Sequence, residues 1–174
     1  MRAPFPLSLR IGTDIVATSR ILSPLQPDYK RLSRLAARFL HPRELDDLNH
    51  RFPNWKDAQS HDGLKRQQLA AWLAGRWAAK EAAKKAWDAT LLGFRDLRVE
   101  PETGGRVQVI CDTRLARDPP PINRITEQAA QLSISHDGDY TIAMVMATPL
   151  HPDISADLAF RKSAAEARLV DKQA

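Results

Sequence analysis

A single cysteine, Cys111, stands in the 174 residues of the chain. One thiol excludes an internal disulfide framework and a cysteine-based zinc site, and it fits a reducing compartment. Such a residue reads as a small buried member of a strand. No apolar run approaches the roughly 20 residues that cross a bilayer, so a soluble chain with no membrane partner is expected. The sequence also lacks an internal repeat, a Gly-rich phosphate loop, a Gly-x-Ser-x-Gly elbow and a His-Glu-x-x-His helix, which removes most common enzyme classes. Acidic residues are the minority among the charges, 21 against 26 Lys and Arg. With a pI near 9.7, that balance favours an anionic partner: a nucleotide, a nucleic acid, a membrane surface or an acidic protein.

What is present suits one domain. At 43% hydrophobic and 27% charged residues the composition is ordinary for a globular chain. A chain of this length buries about two-thirds of its unfolded surface in a single core. We assign residues 1–150 to that domain, with a surface insertion at about 49–65, and residues 151–174 to a C-terminal helical extension. The dominant stretch runs from Leu69 to Trp87 and is rich in Ala, Leu, Lys, Glu and Arg, the strongest helix formers. Within it Glu81 and Lys85 stand one helical turn apart on the same face. Alone, that pair describes a surface salt bridge.

In chain order, Arg2 and Arg10 lie in a segment without acids, as at the end of a transit peptide, but Pro4 and Pro6 interrupt it. The compartment therefore stays open between the mitochondrial matrix, if the source is eukaryotic, and the cytoplasm. Leu7 to Val16 reads as a strand ending around Gly12-Thr13-Asp14, with Thr18 or Ser19 opening a helix. A helix follows with Leu32, Leu35, Ala36 and Phe39 on one side and Lys30, Arg31, Arg34 and Arg38 on the other. His41 caps a short acidic helix that has Pro42 in its first turn. Asn49 to Lys65 loses periodicity, has little to bury and reads as a surface loop. Leu97–Glu100 and Val107–Ile110 form a hairpin around Gly104-Gly105, and Asp118 to Pro121 is a loop. Ile125 to Gln131 is expected as a short helix. Gln131 to Met146 is two strands turning at Asp137-Gly138, with His136 beside the turn. Ser155 to Val170 is a final helix.

Three signals now stand in a fixed order: Gly12-Thr13-Asp14, Trp77-Ala-Ala-Lys80-Glu81-Ala-Ala-Lys84-Lys85, and Ser133-Ile134-Ser135-His136. With Arg76 directly before Trp77, the set resembles the 4′-phosphopantetheinyl transferases, and among them the short holo-acyl-carrier-protein-synthase type, over residues 11–48 and 69–147. The resemblance implies an α+β fold of the 4′-phosphopantetheinyl transferase kind, an antiparallel sheet packed on the long central helix, assembled as a trimer with active sites between subunits. It implies transfer of phosphopantetheine from coenzyme A to a serine of an apo acyl carrier protein, releasing 3′,5′-ADP. Asp14 and Glu81 become the ligands of Mg²⁺, or of Mn²⁺ in its place, because a hard cation takes few protein carboxylates and fills its sphere with water and phosphate. Glu81 and Lys85 become catalytic, with Glu81 or a metal-bound water as the base. Lys80, Lys85 and His136 are expected to hold coenzyme A. Arg20, at the position of the family's docking arginine, and Arg34 are expected to hold the carrier. Two other readings stand beside it: a small basic RNA-binding module using Trp55, Trp72, Trp77 and Trp87, and an inactive oligomeric scaffold of the same fold. On the transferase reading no nucleic acid is bound.

Overall fold

The β-branched and alternating segments pair into one five-stranded antiparallel sheet of order β1-β5-β4-β3-β2. The computed structural model describes residues 6–22, 29–56, 63–114 and 123–171. Strand β1 is Arg10–Ala17, followed by helices α1 (Thr18–Leu22), α2 (Tyr29–Phe39), α3 (Pro42–Arg51) and α4 (Gly63–Ala86). A 3-10 turn at Phe94–Asp96 leads into β2 (Leu97–Pro101), β3 (Val107–Asp112), β4 (Glu127–Asp137), β5 (Tyr140–Ala147) and α5 (Pro152–Asp171). The architecture is the expected α+β one.

Helix α4 lies on the sheet, and its composition explains how closely. Ala70, Ala74, Ala78, Ala79, Ala82, Ala83 and Ala86 are all fully buried. Small side chains let a helix backbone approach a strand, and at Gly12 the approach is complete. A Cβ on Gly12 would collide with the Ala82 carbonyl and stand 2.6 Å from the Ala86 nitrogen. Around this contact Val16, Leu69, Leu73, Val109, Val145, Ile154 and Leu158 belong to one buried cluster, so the first turns of α5 share the core of the sheet. Phe39, Trp77 and Phe94 form an aromatic knot beside it, with centroids 4.7 to 6.3 Å apart. Such pairs contribute about 0.5–1.5 kcal/mol each beyond their buried area.

Four expectations change. β1 does not end at Asp14: it pairs with β5 through Ala17↔Tyr140, which places Asp14 inside the strand opposite Ala143. The 49–65 segment is not empty of core residues, because α3 continues to Arg51 and Trp55 is 3% exposed, its indole N–H donating to Asn49 Oδ1 at 2.8 Å. Residues 125–131 are no helix; from Glu127 they form β4, paired with β3 along this segment and with β5 from Gln131 onward. The last turn is shifted by one, since Asp137 pairs with Tyr140 and Gly138 takes the positive φ of +51° inside the loop. The anticipated loop at Asp118 to Pro121 lies outside the described residues. The β2–β3 hairpin with positive φ at Gly104 and Gly105, the His41 cap of α3 and the buried Cys111 are as expected.

Candidate active site

Alternation along β1 turns Gly12, Asp14 and Val16 toward α4, and the Gly12 contact brings the helix against that face. Asp14 therefore meets α4 one turn beyond Ala82. Lys85 Nζ donates to Asp14 Oδ1 at 2.8 Å and to the Thr13 carbonyl at 2.8 Å. Glu81 precedes Lys85 by one turn on the same helix, is 27% exposed in its side chain, and has Lys84 Nζ 3.9 Å from its Oε1. Lys84 in turn lies 4.5 Å over the Phe94 ring. The two carboxylates remain partly open to solvent, at 18% for Asp14 and 27% for Glu81. Among the described residues no three His, Cys, Asp or Glu side chains gather into a complete cage. Two half-open carboxylates fit a cation that keeps water and phosphate as its other ligands.

Lys80 is a correction. It was expected near coenzyme A, but its side chain is fully buried. Its ammonium donates to Glu44 Oε2, to the Phe39 carbonyl at 2.8 Å and to the Phe94 carbonyl at 3.2 Å, which uses all three N–H groups. Burial pushes its pKa down to about 8, against the opposing pull of Glu44. No donor is left for a phosphate.

His136 sits at the end of β4, its Nδ1 2.8 Å from Thr141 Oγ1, and packs over Gly75 of α4. Gly75 is ten residues before Lys85, roughly 15 Å along the helix axis at about 1.5 Å per residue. One chain thus does not bring His136 to the Asp14–Lys85 pair. It lines instead a cavity of about 510 Å³ with Arg51, Gln68, Trp72 and Arg76. A second cavity of about 570 Å³ adjoins it, sharing Arg51, Trp72, Arg76 and Ile134. The Arg76 guanidinium stacks on the Trp72 ring at 3.3 Å from its centroid and bonds Asp47 Oδ2 at 3.1 Å. Burial lowers the Arg76 pKa to about 10, with Glu44 and Asp47 opposing. This basic, aromatic cleft was missed in the sequence; the i,i+4 spacing of Trp72 and Arg76 is the signal that marks it.

Arg20 on α1 and Arg34 on α2 are both exposed. Arg20 borders an apolar notch of about 170 Å³ lined by Val16, Ile21, Leu35 and Trp77. The notch opens beside the strand that carries Asp14.

The site thus sets a strand carboxylate, Asp14, beside a helix lysine, Lys85, with the helix carboxylate Glu81 one turn earlier. The profile of the 4′-phosphopantetheinyl transferase superfamily matches residues 10–145, and the chain belongs to that family. It is 40% identical over 153 residues to "4′-phosphopantetheinyl transferase B, mitochondrial" of Aspergillus fumigatus, covering 83% of this chain and 96% of that protein. Among solved structures, acyl carrier protein synthase of Plasmodium yoelii with ADP bound shares the fold, with a TM-score of 0.57 at 21% identity over 82% of this chain and 96% of its own. The ACPS–CoA complex of Chronobacterium ammoniagenes is similar at 26% identity and a TM-score of 0.51, over 82% of this chain and 98% of its own.

Proposed function

We propose that this chain transfers the 4′-phosphopantetheine group of coenzyme A to a serine of an acyl carrier protein, with Mg²⁺ as the cation. The observation that carries the reading is the Lys85–Asp14 contact, with Glu81 one turn away, inside a member of this family. The carrier hydroxyl oxygen bonds to the β-phosphorus of coenzyme A, and the bond from that phosphorus to the bridging oxygen breaks. 3′,5′-ADP leaves, and the hydroxyl proton passes to Glu81. Bound Mg²⁺ would supply charge neutralisation at the diphosphate, held by Asp14 and Glu81. Lys85 meets the diphosphate as a point charge. The nucleotide of coenzyme A is assigned to the cleft of Arg51, Trp72, Arg76 and His136, where a guanidinium stack and cations suit an adenine and its phosphate.

The distance between that cleft and Asp14 supports assembly. On the outer face of the sheet, Ile11, Ile15, Tyr140, Ile142, Met144 and Met146 are 44 to 65% exposed. Paired as Ile11↔Met146 and Ile15↔Ile142, they form one apolar patch, which we assign to a trimer interface that joins the cleft of one subunit to the carboxylates of the next. Residence in the mitochondrial matrix, if the source is eukaryotic, is our reading of the similarity to the mitochondrial Aspergillus enzyme. An RNA-binding role finds no stacking surface in the tryptophans: Trp55 and Trp87 are buried, Trp72 lies under Arg76, and Trp77 packs on Phe39 and Phe94.

The test is incubation with coenzyme A, Mg²⁺ and apo carrier protein, followed by the carrier's mass. Addition of one phosphopantetheine that disappears with chelator supports the reading. An unmodified carrier under conditions in which a known transferase loads it overturns the reading.

A further inference from the structure

Glu44 is 3% exposed and belongs to none of the groups assigned above. Its Oε2 accepts from the His41 backbone N–H at 2.9 Å and from Lys80. Its Oε1 accepts from the Val99 N–H at 2.9 Å and lies 3.7 Å from Arg76 Nε. Through Lys80 the same carboxylate reaches the last carbonyl of α2, at Phe39, and the Phe94 carbonyl ahead of β2. One buried ion pair thus ties α2, α3, α4 and β2 together.

Such a pair is a poor device for stability alone, because desolvating both charges costs about as much as their attraction returns, and apolar replacements are often neutral or better. What it supplies is direction. The Gly12 contact on Ala82 and Ala86 sets how closely α4 approaches β1, and the directional bonds that Lys85 and Arg76 add along the helix are exposed to solvent. The Lys80 bonds are directional and buried, and they hold the rotation of the helix from within the core. Glu81 is the next residue along the helix, so the rotation that Lys80 sets is the rotation that aims Glu81.

We propose that Glu44 is a positioning residue for the metal site: by locking Lys80 it sets the phase of α4 and thereby the placement of the Glu81 carboxylate against Asp14. The proposal rests on the reading of Asp14 and Glu81 as the cation's ligands. Glu44→Gln alone leaves a buried ammonium unpaired and tests mainly folding, so the informative proteins are the neutral pairs Glu44→Gln/Lys80→Met and Glu44→Gln/Lys80→Gln. Mn²⁺ is titrated into full-length protein saturated with coenzyme A, and free Mn²⁺ is read by its paramagnetic resonance with a coenzyme A blank. Circular dichroism and thermal melts run alongside.

The expected result is a folded neutral pair whose Mn²⁺ affinity falls about tenfold or more, the scale of losing an outer support of a metal ligand. Its KM for the carrier stays unchanged while the Mg²⁺ concentration for half-activation rises. A folded pair with wild-type Mn²⁺ affinity overturns the proposal, provided Asp14→Ala abolishes binding, and leaves the metal reading intact. Failure of both neutral pairs to fold assigns Glu44 to the fold and also overturns it. Wild-type binding that Asp14→Ala and Glu81→Ala do not disturb overturns both the proposal and the reading beneath it.

Discussion

At the scale of single residues, the site depends on the absence of a side chain as much as on the presence of charged ones. Asp14 meets Lys85 because Gly12, two residues earlier on the same face, lets the α4 backbone touch β1. Gly12→Ala forces a methyl group into the Ala82 carbonyl, and both partners are backbone that cannot swing aside. Overpacking of a tight core costs about 1–3 kcal/mol, so the urea midpoint should fall by the equivalent amount and transfer should fall with it. A midpoint equal to wild type would show that helix and strand separate without penalty. Asp14→Ala and Glu81→Ala act differently. Both side chains are partly exposed, so their removal should leave the thermal melt nearly unchanged while transfer is lost. Either variant retaining wild-type turnover at limiting Mg²⁺ would remove that residue from the metal site.

At the scale of elements, the sequence was readable where a pattern is local. The long helix, the basic amphipathic α2, the Pro42 helix start and the two hairpins all follow from periodicity, caps and glycines within a few residues of one another. It was unreadable where a partner decides. Glu127 to Gln131 becomes strand because β3 pairs along all of it, and β1 runs past Asp14 because β5 extends to Tyr140. Lys80 and Glu81 look alike as adjacent charges on a helix; only Glu44, 36 residues away, determines which one is buried. The same holds for Asp112 at the end of β3. Its carboxylate is 2% exposed and accepts from the Arg98 guanidinium at 2.6 Å and from the Arg114 backbone N–H at 3.0 Å. Burial raises its pKa, but the nearby His41 ring, 3.6 Å away, and the hydrogen bonds from the side chain and backbone of Arg114 outweigh that and hold it well below the usual carboxylate range. A depressed carboxylate contributes stability that is complete above its unfolded pKa of about 3.9 and is lost as pH falls toward the folded value. Asp112→Asn should therefore be less stable at neutral pH and lose less on acidification, so its melting temperature converges on that of wild type below about pH 4. Parallel acid limbs for the two proteins would assign the acid sensitivity to other groups.

At the scale of the whole molecule, two surfaces remain to be used, the apolar outer face of the sheet and the basic face of α1 and α2. Charges placed on the first, as in Ile142→Glu with Met144→Glu, should give a folded monomer that no longer transfers phosphopantetheine, read by sedimentation and by carrier mass; a trimer that survives both charges would move the interface elsewhere. The second surface concerns the carrier. Arg20 is exposed beside the apolar notch of Val16, Ile21, Leu35 and Trp77, and Arg34 is exposed on the neighbouring helix. An acidic helical carrier would meet these arginines while its serine reaches Asp14 and Glu81 on the adjoining strand and helix. Charges at the rim of an interface mainly steer encounter, and salt screens them with a Debye length of about 10 Å at 0.1 M. Reversing Arg20 and Arg34 together should raise the KM for the carrier and flatten its dependence on salt, while the KM for coenzyme A stays the same, because the cleft we propose for the nucleotide is lined by Arg51, Trp72, Arg76 and His136 instead. Equal losses for both substrates would assign the two arginines to the fold or the assembly, and an unchanged carrier KM would place docking on another face.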